Sequence, residues 1–91
     1  MSQQAIVNPD ALERFSKELK QYNEYVRDRT RRLHIQFRQL EETWRDQEHR
    51  KFAQEFERTR IQVDRFLKAS DPYVPFLQRK AARVREYLRQ R

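Results

Sequence analysis

The residues of this chain best suited to chemistry are two histidines and a spread of carboxylates, and their spacing decides what they can do. His34 and His49 stand 15 positions apart, and neither has a second ligand at the i, i+4 spacing that a helical metal site uses. Glu13, Glu18, Glu24 and Asp28 have bases three or four residues away, a pattern that pairs charges along a helix face rather than gathering a catalytic dyad. The sequence contains no Cys and no Gly. Thiol nucleophiles, disulfides and Cys-type zinc sites therefore drop out together. So do phosphate-cradling loops, dinucleotide fingerprints and nucleophile elbows, which need Gly where φ is positive or backbone must approach a ligand closely. The expectation is a protein without catalytic, cofactor or metal residues.

Six aromatic side chains, Phe15, Tyr22, Phe37, Phe52, Phe56 and Phe66, could serve as stacking platforms for bases. Their helical spacing points instead to packing in a core or an interface. The elements that carry them are long helices. Of 91 residues, 38% are charged and only 36% apolar, so a core of the chain's own is thin and self-association is expected.

Asn8, Pro9 and Asp10 form a helix start, with a side-chain cap, a residue of preset φ and an acid at the positive end of the dipole. Residues 1–9 therefore read as a tail leading into that start. Leu12, Phe15, Leu19, Tyr22 and Val26 follow at steps of three and four, and Leu33, Phe37, Leu40 and Trp44 extend a similar stripe. No Pro or Gly interrupts residues 10–71, yet the heptad phase of Phe52, Phe56, Val63 and Phe66 slips by two from the first stripe. One seam cannot serve both halves. The chain is expected to turn between about 41 and 47, making residues 10–71 a helical hairpin. Thr43-Trp44-Arg45-Asp46 supplies a capping-box pattern for the second helix, with Asp46 as an alternative cap. Ser70-Asp71-Pro72 ends that helix near Ala69. A third, shorter helix is expected from about 75 to 89, with Leu77, Ala81, Val84 and Leu88 at helical spacing.

Charge is uneven. The chain carries +7 in all, and residues 72–91 hold six bases, Arg79, Lys80, Arg83, Arg85, Arg89 and Arg91, against one acid. This basic segment either complements its own helix dipole while its apolar strip docks on the hairpin, or meets an acidic protein, nucleic acid or an anionic membrane surface. The hairpin itself is close to neutral. No apolar run approaches the roughly 20 residues needed to cross a bilayer, and Met1 to Val7 lacks the pattern of a cleaved signal.

The stretch Leu40-Glu41-Glu42-Thr43-Trp44-Arg45-Asp46, followed by Phe52-Ala53 and Phe56, resembles the turn of the WXG superfamily of type VII secretion substrates, with Asp46 where that family has Gly. The resemblance covers roughly residues 10–71. It implies an antiparallel helical hairpin that pairs as a homodimer or heterodimer into a four-helix bundle. It further implies synthesis in the cytoplasm, export in the folded state without a cleaved signal, and a secretion ATPase or effector as partner. The family's C-terminal signal places an acid four residues after Tyr, whereas Tyr87 is followed by Arg91. The reading is thus an all-α, non-enzymatic secretion substrate, targeting module or co-secreted partner that dimerises through its Phe and Leu faces. An intracellular helical scaffold, or a binder of nucleic acid or anionic surfaces through residues 79–91, stands as the alternative.

Overall fold

In the computed structural model, which describes residues 7–90, three helices follow in order: α1 (Pro9–Leu40), α2 (Gln47–Ser70) and α3 (Tyr73–Arg89). No strand occurs among the described residues. Helix α1 starts as its sequence dictates. The Asn8 carboxamide oxygen accepts from the Asp10 and Ala11 amides at 2.8 and 3.3 Å, and Pro9 gives up no amide that the helix needs.

The chain folds back over residues 41–46. Thr43 does not cap the second helix, because its hydroxyl donates backwards to the Leu40 carbonyl at 3.4 Å. Asp46 caps instead, accepting the His49 amide at 2.9 Å. Its φ of −101° is ordinary extended backbone, so the turn makes no demand for Gly.

The junction of α2 and α3 is a bend rather than a second fold-back. Asp71 and Pro72 both keep right-handed helical dihedrals, so the chain direction is carried through. Pro72 clashes with the carbonyl one turn back and Pro75 has no amide to offer Asp71, whose carbonyl accepts from Val74 at 3.2 Å instead. The third helix therefore starts at Tyr73, two residues before the expected Pro75, because Pro is tolerated within a first helical turn. The molecule is a hairpin of one straight arm, α1, and one long bent arm, α2 and α3.

It measures 68 × 23 × 14 Å, with a radius of gyration of 20.5 Å, against about 12 Å for a compact domain of this length. The tight part of this rod lies where α3 meets the first half of α1. Backbones approach closely along that stretch and only at scattered points between α1 and α2. The reason is side-chain size. Ser16 and Ala81, at 0% and 1% exposure, let α1 and α3 come together, whereas Phe37, Phe52 and Phe56 hold α1 and α2 apart. Among the described residues, the buried apolar ones are Leu67, Val74 and Ala81.

A polar network sits at the bend. Asn23, 2% exposed, accepts from the Ser70 hydroxyl at 2.9 Å and donates to Asp71 at 3.2 Å. Asp71 in turn accepts from Arg27 at 2.6 Å. The buried Asn23 and Ser70 side chains are thereby satisfied, which fixes how the bent arm is aligned along α1. At the open end, Arg85 of α3 lies 2.8 Å from Asp10 and 2.6 Å from Glu13. Glu13 thus pairs across the hairpin, not along its own helix as its spacing suggests, while Asp28 does pair locally with Arg31 and Arg32.

Candidate functional site

The turn is built around Trp44. Its indole N–H donates to the Asp46 carboxylate at 2.9 Å, so one carboxylate oxygen holds both the ring and the first turn of α2. The ring meets His49 edge-on at 5.2 Å and Phe52 at 5.9 Å. His49 also stacks on Phe37 at 5.5 Å, with its Nε2 3.1 Å from Glu41 Oε2. Trp44, Arg45 and Asp46 therefore form a closed tip, with the large indole mostly but not fully covered by its own chain.

Below the tip, α1 and α2 diverge around a groove of about 540 Å³ lined by Leu33, Phe37, Leu40, Phe52, Phe56 and the polar rim of Gln36, Glu55 and Thr59. Phe37 packs on Phe56 at 4.8 Å and on Phe52 at 5.6 Å at its floor. Further along, Tyr22 meets Phe66 edge-on at 6.2 Å. Phe15, Tyr22, Leu33 and Leu40 are separated by seven, eleven and seven residues, steps that bring a helix back to nearly the same azimuth. These four residues thus form an apolar row along one side of α1, while other exposed apolar residues such as Ile35, Ile61 and Phe76 lie elsewhere on the rod. Phe15, Tyr22, Leu33, Leu40, Phe52 and Phe66 are each between 45% and 58% exposed.

This splits the stripe read from the sequence. Leu12, Leu19, Val26, Phe37, Phe56 and Val63 are partly covered by the opposite arm, whereas Phe15, Tyr22, Leu33, Leu40, Phe52 and Phe66 face outward. The innermost positions of α1 are Ser16 and Asn23, which an apolar pattern passes over. Their signal was available only as small or amide residues one position beyond the Phe15 and Tyr22 line.

The opposite side of the rod is polar. A cleft of about 310 Å³ is lined there by Arg27, Thr30, Arg31, His34, Arg60 and Asp64. Its cations are largely answered by acids: Arg60 bonds Glu57 at 2.6 Å and holds that carboxyl below the usual glutamate range, and Arg27 is held by Asp71. No group of three His, Cys, Asp or Glu side chains converges among the described residues.

The basic segment divides. Arg85 turns inward to Asp10 and Glu13, and this contact holds the Asp10 carboxyl below its ordinary value. Arg89 pairs with Glu86 on its own helix. Arg79, Lys80 and Arg83 are exposed and meet no acid among the described residues. Arg91 lies outside the described residues. Among the described residues, no helix is long and apolar enough to cross a membrane.

Comparison with protein-family models, with curated proteins and with solved structures finds no match to this chain.

Proposed function

We propose that this protein is a non-enzymatic, WXG-like helical hairpin that works by association. Its apolar side pairs with a second copy or a related hairpin, building a dimeric, four-helix-bundle-like assembly that serves as a secretion substrate, targeting module or co-secreted partner. The observation that carries the reading is the continuous apolar side itself. The 11.4 kDa chain exposes 7632 Å². A compact monomer of that mass would expose roughly 5,800 Å², leaving an excess of roughly 1,900 Å². One subunit of an obligate dimer covers on the order of 1,000 to 2,500 Å². The excess is thus of the size a dimer would remove, and the aromatic groove supplies an apolar centre for it.

The secretion role rests on the resemblance at the turn, and the Trp44 and Asp46 arrangement supports it. One carboxylate serves as helix cap and indole acceptor, so the motif can keep a tight fold-back with an acid in place of Gly. In that role the chain is made in the cytoplasm and leaves folded, without a cleaved signal, handed to a secretion ATPase or effector.

Light-scattering mass across a dilution series tests the association. A dimer is the expected result, and a monomer at about 0.1 mM, weaker than any stable specific complex, refutes it. Export is tested by recovering the chain from the medium of its own cells and finding it retained on Trp44→Ala. A second reading is favoured by one observation: α3 docks on α1 within the same chain. A monomer that melts in one cooperative transition supports a self-contained helical scaffold instead.

A further inference from the structure

We propose that the outer ridge of the bent arm is a docking surface for an anionic lipid bilayer. Ile61, Arg65, Lys68, Phe76, Arg79 and Arg83 follow one another at helical spacing, with Pro72 filling the step across the bend. All are exposed, and they lie diametrically opposite the inward row of Leu67, Ser70, Val74 and Ala81. At 1.5 Å per residue the ridge is about 33 Å long. It carries four bases and no acid, and Lys80 stands beside it as a fifth base. None of these five bases meets an acid among the described residues. By contrast, Arg27, Arg60, Arg85 and Arg89 are each held by a carboxylate. Bases without an ion pair also occur elsewhere, among them Arg14, Lys17, Arg38 and Arg50, but the ridge gathers four in one row with no acid among them, so its complement is an anionic partner.

The shape and the apolar members select the kind of anion. The bases run in a row along the outer side of the arm, so a broad anionic surface can meet them together, whereas the phosphates of a duplex wind away from such a row within a turn. Ile61 at the start of the ridge and Phe76 between its bases, 40% and 52% exposed, find nothing apolar on a sugar–phosphate backbone. At a bilayer they enter the boundary between headgroups and acyl chains, while the long Arg and Lys side chains reach back to the phosphates. The ridge lies a quarter turn or more around the arm from the apolar side assigned to association, so a dimer leaves it free.

The test is flotation of the full chain with phosphatidylcholine vesicles containing about 30% phosphatidylserine, at about 0.1 M salt. Binding is expected to the anionic vesicles and not to phosphatidylcholine alone, and it should fall as salt is raised. Each basic residue near such a surface strengthens binding about five-fold, so Arg65→Gln, Arg79→Gln and Arg83→Gln together should weaken it on the order of 100-fold. These positions are exposed, so the melting curve should be unchanged. Phe76→Ser should weaken vesicle binding further at constant charge. Equal binding to neutral vesicles, no binding at low salt, or an unaffected triple variant overturns the proposal. So does duplex DNA that displaces the protein from vesicles at equal phosphate concentration, which would make nucleic acid the ridge's partner.

Discussion

Phe15 and Leu33 offer the sharpest test of the apolar side, because they contact solvent more than they contact their own chain. They are 58% and 53% exposed. Full burial of such a side chain stabilises by about 1.5 to 3 kcal/mol, so the part still in water is worth roughly 0.8 to 1.7 kcal/mol each. A symmetric dimer covers both residues in both copies, which brings the stake to roughly 3 to 7 kcal/mol. Phe15→Gln with Leu33→Gln should therefore weaken dimerisation by at least about 100-fold, since 1.4 kcal/mol is tenfold in an equilibrium constant. Sedimentation equilibrium over a concentration series reads that shift directly. Helix content should be preserved, because neither residue belongs to the tight α1–α3 contact and Gln suits a helix. If the variant dimerises as tightly as the parent, the reasoning fails, and the apolar side is not where the partner sits.

Three further outcomes follow from the same contacts. Asp46→Ala removes a helix cap and the indole's acceptor together, and should cost about 0.5 to 2 kcal/mol in a denaturant titration; Trp44 emission, the only Trp signal in the chain, should shift to the red at the same time. Asn23→Ala takes away two hydrogen bonds at the bend, worth roughly 1 to 3 kcal/mol together. A double-mutant cycle with Ser70→Ala should show coupling between the two, and additivity would mean that the network does not act as a unit. The Asp10 carboxyl is held below its ordinary value of 3.8, first by its hydrogen bond to Arg85 and then by that residue's charge. A depressed carboxylate contributes stability that is present above the ordinary value and lost as pH falls through the lowered one. Amide protection at the end of α3, taken relative to the intrinsic exchange rate at each pH, should accordingly fall below about pH 4, and Arg85→Gln should abolish that loss.

Much of the fold was legible in the sequence. The Asn8-Pro9-Asp10 cap placed the start of α1, because capping is a local transaction between a side chain and amides two or three residues on. The slip in heptad phase between the Leu33–Phe37–Leu40 stripe and Phe52–Phe56 placed the fold-back within residues 41–47. The Pro pair marked the change of direction near residue 72, but not its nature. Nothing local distinguishes a helix that ends at Ser70 from an arm that bends and continues, since that depends on whether Asp71 finds Asn23 and Arg27 across the hairpin.

The seam shows the same limit. Large apolar residues announce a periodicity, and Phe15 and Tyr22 announced one that was real. The separation of two helices is set by the side chains at their contact, however, and the small ones that permit close approach carry little hydrophobic signal. Local spacing and capping chemistry determined that this chain forms helices, where each begins, and that it turns back at Trp44. Only tertiary structure decided that Ser16, Asn23, Ser70 and Ala81 would line the contact. Close approach at these residues rotates each helix about its axis and leaves Phe15, Tyr22 and Phe66 facing out, a choice that no single helix can make alone.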